Sequence, residues 1–149
     1  MVIFVGAQGS GKTTLYRERF EQTHLHISKD LLPRSADKRR RQRQLIQEAL
    51  EARRSIVVDN TNASREDRAE LIAQGRAHGV RVVAYYFDAP LADCLRRNAL
   101  REGAARVPRV AVVALHKRLQ PPSLAEGYDA LYVARMVEPE GSFEISRVR

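Results

Sequence analysis

Residues 6–13 read Gly6-Ala7-Gln8-Gly9-Ser10-Gly11-Lys12-Thr13, followed by Thr14, directly behind the apolar run Val2-Ile3-Phe4-Val5. The spacing GxxxxGK[ST] between a strand and a helix is that of a phosphate-gripping loop. Gly6, Gly9 and Gly11 admit backbone turns that bring N–H groups against phosphate oxygens, and the positive end of the following helix adds to that field. Lys12 is expected to reach the β- and γ-phosphates of ATP, and the Thr13 hydroxyl to ligate Mg²⁺. Gly6 through Thr14 are thus the expected ATP-binding segment.

Four more groups bear on what becomes of the terminal phosphate. Asp30, in Ser28-Lys29-Asp30, follows a short apolar segment. A carboxylate beyond the carboxyl end of a strand is placed to orient an acceptor hydroxyl and take its proton; an N-capping or ion-paired Asp is the plainer alternative. Arg34, four residues on, is a candidate for the acceptor's phosphate. Asp59 ends the apolar run Ile56-Val57-Val58, where P-loop proteins keep a carboxylate that supports the metal from behind its direct ligands. Asn60 follows it, so the water-activating glutamate of motor ATPases is absent. Arg97 and Arg101 stand four apart and share a helix face, a placement suited to offsetting charge on transferring phosphoryl oxygens. The alternative pairs Arg97 with Asp93. The block Lys38-Arg39-Arg40-Arg41-Gln42-Arg43 is either a solvated helix face or a flank of the acceptor groove, with Lys38 and Arg39 nearest Asp30 in the chain.

The elements that must hold these groups alternate between apolar strands and amphipathic helices. Strands are expected at Val2–Val5, His24–Ser28, Ile56–Asp59 and Arg81–Asp88, with closing strands at Leu131–Val133 and Phe143–Ile145. Helices are expected at Lys12–Glu21, from Ser35 as cap to Arg54, from a Ser64 cap to His78, from Pro90 to Arg101, and over Val110–Leu119. This pattern predicts an α/β, three-layer P-loop fold: a mostly parallel sheet of about four to five strands, helices on both faces, and an arginine-bearing lid over about 96–118, within a single domain of 149 residues.

The formal net charge is +8, from 26 Lys+Arg against 18 Asp+Glu. Such an excess on a nucleotide-handling chain leans toward a polyanionic partner larger than ATP. Cys94 is the single cysteine, which rules out an internal disulfide and fits a reducing cytosol. No apolar run reaches membrane-spanning length, and the first strand leaves no room for a signal peptide, so a cytoplasmic protein without membrane contact is expected. The aromatics open to base stacking are few, chiefly Tyr16, Tyr85, Tyr86 and Phe87.

Together these segments resemble the kinase module of the polynucleotide 5′-kinase family, over nearly the whole chain. The carriers are Gly6–Thr14, His26-Ile27-Ser28-Lys29-Asp30, Val58-Asp59-Asn60-Thr61-Asn62, Arg97-Asn98 with Arg101, Val107-Pro108, and Pro122-Ser123-Leu124-Ala125-Glu126-Gly127-Tyr128. The loop is shared by many kinases; the Asp-Asn-Thr-Asn turn with Leu-Ala-Glu-Gly-Tyr is more specific. The resemblance implies transfer of the ATP γ-phosphate to the 5′-hydroxyl of DNA or RNA, with Mg²⁺ as cofactor. It implies Lys12 and Thr13 as phosphate and metal ligands, Asp30 as general base, Arg97 and Arg101 as lid arginines, and Asp59 in support. It also implies phosphatase or ligase repair partners, supplied by other chains. The sequence departs from the family in three places. Gln8 stands where Pro is common, Ser28-Lys29 replaces Asn-Arg, and Pro33 occupies the acceptor-arginine position, one residue before Arg34. Two other functions compete: a P-loop kinase of a small metabolite, and a nucleotide-gated nucleic-acid-binding module without catalysis.

Overall fold

A computed structural model describes residues 1–34, 37–137, 139 and 141–149. Its centre is a six-stranded sheet in the order β2-β3-β1-β4-β5-β6, formed by β1 (Val2–Val5), β2 (Leu25–Ile27), β3 (Ile56–Asp59), β4 (Val83–Phe87), β5 (Ala130–Val137) and β6 (Ser142–Arg147). The first five strands are parallel and β6 returns antiparallel to β5, so the sheet exceeds the expected four to five strands. The two closing strands are longer than their apolar cores suggested. Register with β4 extends β5 to Val137, and a hairpin extends β6, through polar residues such as Ser142 and Arg147.

β1 and β3 are buried along their whole length, as central strands covered on both faces must be. On one face α2 (Lys38–Glu51) and α3 (Arg65–Ala77) close a core of Ile3, Val5, Ile46, Val58, Leu71, Ile72 and Leu131. On the other, α1 (Lys12–Arg19) packs Leu15 and Tyr16 against Val2, Phe4, Val57 and Phe87. A third cluster joins Ala7 and Ala63 to Cys94 of α4 (Leu91–Ala99) and to Val112 and Leu115 of α5 (Arg109–Arg118). It anchors α4 and α5 at the carboxyl end of the sheet, beside the phosphate loop.

Helix starts largely follow the sequence signals. The Ser64 hydroxyl accepts from the Asp67 N–H, and Pro90 and Pro108 stand at the N-caps of α4 and α5. Ser35 lies outside the described residues; the cap seen on α2 is Asp37, which accepts from the Arg40 N–H at 3.2 Å. Among the described residues no helix is long and apolar enough to cross a membrane.

Candidate active site

The loop between β1 and α1 is held from three sides. The Gly6 N–H donates to the Thr61 carbonyl at 3.0 Å, tying the loop to the turn after β3. Gly9, at φ +77°, lies so close to α4 that a Cβ there would stand 2.4 Å from the Cys94 carbonyl oxygen. Gly11, at φ +101°, lies under Met136 and Phe143 of the β5–β6 hairpin. Only glycine combines these dihedrals with these contacts.

Lys12 folds back over the loop, its Nζ donating to the carbonyls of Gly6 and Ala7 at 2.9 Å each. Burial pushes its pKa down to about 8, against the opposing pull of the Asp59 charge; Arg101 lowers it further, and Asp30 raises it slightly. The charges of Asp59, Arg101 and Asp30 thus all bear on the Lys12 ammonium. Two atoms in the loop are buried without a hydrogen-bond partner, Ser10 Oγ and Gln8 Oε1. Ser10, which the sequence placed in the ATP-binding segment, is only 2% exposed. A buried hydroxyl left unpaired at a helix N-terminus is one that a phosphate oxygen would satisfy.

Arg97, on α4, reaches into the same space and donates from Nη1 to the Gly9 carbonyl at 3.2 Å. The partner seen for Asp93 is Arg96, at 3.6 Å. Arg101 follows the end of α4, half-buried. The chain beyond it is closed by buried Asn98, whose amide nitrogen donates to the Val107 carbonyl at 2.7 Å while its oxygen accepts the Val107 N–H at 3.0 Å. Those two hydrogen bonds tie the end of α4 to Val107, just before α5. A cleft of about 540 Å³ opens beside the loop on the β4–β5 side, lined by Ala7, Asp88, Pro90, Arg97, His116 and Met136 among others.

Asp30 lies on the other side, beyond β2, in a 3₁₀ turn spanning Lys29–Leu31. Ser28 caps that turn, accepting the Asp30 N–H at 3.3 Å, so it is the backbone of Asp30 that takes part in capping while its side chain stays exposed. The turn is anchored by Asn60: its Oδ1 accepts the Lys29 N–H at 2.8 Å and its Nδ2 donates to Gln42 Oε1 at 2.6 Å. Thr61 holds the phosphate loop and Asn62, at φ +45°, donates to the Phe4 carbonyl at 2.7 Å. The Asn60-Thr61-Asn62 turn is thus the strut between Asp30 and the loop.

Behind that strut stands Arg68, fully buried on α3. Its Nε and Nη2 donate to Glu126 at 2.8 and 2.9 Å, and its Nη1 to the carbonyls of Asn62 and Ala63. Burial pushes the Glu126 carboxyl up, but the Arg68 guanidinium and the Ser123 N–H outweigh it and hold the pKa below the usual value. The Tyr128 hydroxyl donates to the same carboxylate, and its own pKa is driven well up by burial and by the Glu126 charge. Leu-Ala-Glu-Gly-Tyr is therefore a clamp on the strut. Sequence reasoning missed Arg68, although Arg68, Leu71, Ile72 and Gly75 fall on one buried stripe of α3 at spacings of three, four and seven.

The remaining candidates lie on the exposed side. Arg34 is exposed and makes no hydrogen bond or ion pair with other described residues. Lys38 is half-buried at the start of α2. Arg39 is turned toward α3, where Nε and Nη2 grip Glu70 at 3.2 and 2.8 Å, with Arg43 on the other oxygen of that carboxylate. Of the aromatics, Phe87 is core, Tyr85 stacks on Tyr132 with ring centroids 4.9 Å apart, and Tyr16 stacks on His26 at 3.9 Å.

No cluster of three or more His, Cys, Asp or Glu that would form a metal cage occurs among the described residues. Magnesium does not need one: it keeps most of its waters and takes few protein oxygens beside phosphate. The Thr13 hydroxyl at the start of α1 is a hard oxygen donor of that kind, and the buried Asp59 carboxylate, whose charge bears on Lys12, can support the ion from behind it. The residues present fit the ion.

Comparison with solved structures returns this fold under several activities. The chain is similar to Kti12 of Chaetomium thermophilum, in complex with ADP-AlF3, at 17% identity and TM-score 0.66 over 89% of this chain and 87% of that one. It is similar to a fungal RNA kinase at 22% identity and TM-score 0.64, over 93% and 76% of the two chains. It is equally similar to a gluconokinase from Sinorhizobium meliloti 1021, at 20% identity and TM-score 0.64 over 93% and 83%. These likenesses establish the P-loop kinase fold. The AAA domain family matches residues 1–122, most of the chain, and the protein belongs to that family.

Proposed function

We propose that this chain is an ATP- and Mg²⁺-dependent polynucleotide 5′-hydroxyl kinase, acting on DNA or RNA ends. The observation that carries the reading is the shared strut. One turn holds the phosphate loop through Thr61 and the Asp30-bearing turn through Asn60, which supports reading Asp30 as a base held in fixed relation to the donor site. In-line phosphoryl transfer is mostly a matter of such positioning.

The nucleoside of ATP takes the cleft on the β4–β5 side and the triphosphate lies along the loop. Lys12 exchanges its bonds to the Gly6 and Ala7 carbonyls for phosphate oxygens, and Ser10 gains the partner it lacks. Thr13 ligates Mg²⁺ and Asp59 supports it; the ion, when bound, draws charge from the phosphate oxygens. Asp30 orients the acceptor 5′-hydroxyl and takes its proton. Arg97 and Arg101, in a lid over 96–118, offset the charge gathering on the transferring group. The whole of 1–149 works as one domain.

The polynucleotide acceptor is supported by the net charge of +8 and by the basic residues around Asp30's exposed side: Arg34, Lys38 and the first turns of α2. Arg39 serves there if a backbone phosphate replaces Glu70. In this role the protein works in the cytoplasm, with end-processing phosphatase or ligase partners on other chains. A small-metabolite kinase is the second reading, favoured by the equal likeness to a gluconokinase. The deciding test is transfer of labelled γ-phosphate to 5′-hydroxyl DNA and RNA oligonucleotides, beside gluconate and free nucleosides. Labelled oligonucleotides, with activity falling steeply as salt rises, are the expected result. Labelling of a small acceptor alone would refute the proposal. Oligonucleotide binding without transfer points instead to a nucleotide-gated binding module.

A further inference from the structure

We infer that His26 is a positioning residue for Asp59, holding that carboxylate in the orientation that serves a magnesium-bound nucleotide. The inference rests on the role given to Asp59 above.

His26 lies in β2, paired in parallel register with Val57 of β3. Asp59 is two residues further along β3, so both side chains project from the face that α1 covers. There His26 Nε2 meets Asp59 Oδ2 at 2.8 Å. A carboxylate can only accept, so the ring must carry its hydrogen on Nε2. The ring has no freedom to turn away, because Tyr16 of α1 stacks on it with centroids 3.9 Å apart and planes 17° from parallel. Tyr16 is itself pinned, its hydroxyl donating to the His24 carbonyl at 2.8 Å. The chain of contacts runs from the helix that bears Lys12 and Thr13, through Tyr16 and His26, to Asp59. It locks the carboxylate to that same helix.

Asp59 is only 6% exposed, and its charge is felt at Lys12. Tying Oδ2 to a ring that cannot move fixes where Oδ1 stands. Groups that stand directly behind a metal's ligands typically govern metal affinity by about 10–100-fold; His26 acts through such a group, so an effect near the low end is expected. Plain core packing would need the ring but not the nitrogen, and that difference is testable.

The probe is a fluorescent, non-hydrolysable ATP analogue, titrated with magnesium and again in EDTA, against the wild type and His26→Phe, His26→Gln and Asp59→Asn. Phenylalanine keeps the stack and loses the donor; glutamine offers an amide N–H near the place of Nε2. His26→Phe should lose about tenfold or more of the affinity gained from magnesium, with its EDTA affinity unchanged and the gain largely restored in His26→Gln. The inference is overturned if His26→Phe keeps the full gain, if it weakens equally in EDTA, or if His26→Gln does no better. Asp59→Asn separates the two levels. If it keeps the magnesium gain, the role of Asp59 itself falls; if it loses the gain while His26→Phe does not, only the inference about His26 falls.

Discussion

The two sides of this site are built on opposite principles. On the proposed donor side the site is built from backbone: glycines pressed against α4 and against the β5–β6 hairpin, N–H groups at a helix start, and a lysine folded over its own loop. On the proposed acceptor side it is built from side chains. Asp30 stands exposed on one 3₁₀ turn, and what places it is Asn60, some thirty residues away in the chain. Backbone sites demand glycine at fixed spacing and are therefore legible. Side-chain sites depend on who packs against whom, and one polar residue at a turn looks like any other.

The strut between the sides is the place to break this contrast. Its clamp should matter most. Glu126→Ala leaves the fully buried Arg68 without its countercharge and should cost about 3–5 kcal/mol of stability by denaturant unfolding. A loss below 1 kcal/mol means that the strut does not depend on the clamp. The same pair gives a pH signature. Because the Glu126 pKa is depressed in the fold, its contribution is complete above the ordinary glutamate range. It is lost as pH falls through the folded value. Glu126→Gln should therefore flatten the acid limb of stability against pH.

The donor side comes next. Gly9→Ala sets a Cβ 2.4 Å from the Cys94 carbonyl at positive φ, and overpacking with such strain costs roughly 2–4 kcal/mol. Read by calorimetry, nucleotide affinity should fall by about 100-fold. Unchanged affinity would show that the loop yields more easily than its packing implies. A smaller and one-sided effect is expected of Asn60→Ala. Freeing the Lys29 N–H should lower kcat about 10–100-fold through misplacement of Asp30, with ATP affinity intact. An equal loss of ATP affinity would mean that the two sides are not separable. The least effect belongs to Arg39→Ala, whose guanidinium is shared with Glu70. It should lower the slope of log affinity against log salt for single-stranded acceptor by about 0.7, and a slope left as it was would remove Arg39 from the acceptor surface.

Much of this was legible from residues alone. The loop, the four strands β1 to β4, the Ser64 cap and the proline heading α4 each rest on local chemistry that packing does not override. What stayed hidden was non-local. β6 gains its length from pairing with β5, through residues with no apolar period. Arg68 reads as a surface arginine until Glu126, 58 residues on, is seen beside it. Asn98 stands beside Arg97 among the residues that carry the resemblance, but its two bonds to Val107 appear only in the fold. His26 heads one of the motifs that carry the resemblance, but only the fold sets it between Tyr16 and Asp59.

The account stands on Asp30 as the acceptor's base, separable from the grip on ATP. Asp30→Asn, measured for ATP affinity by calorimetry and for γ-phosphate transfer to a 5′-hydroxyl oligonucleotide, tests it most directly. The account predicts wild-type ATP affinity with transfer reduced about 10²–10⁴-fold. Transfer within a few-fold of the wild type would contradict it.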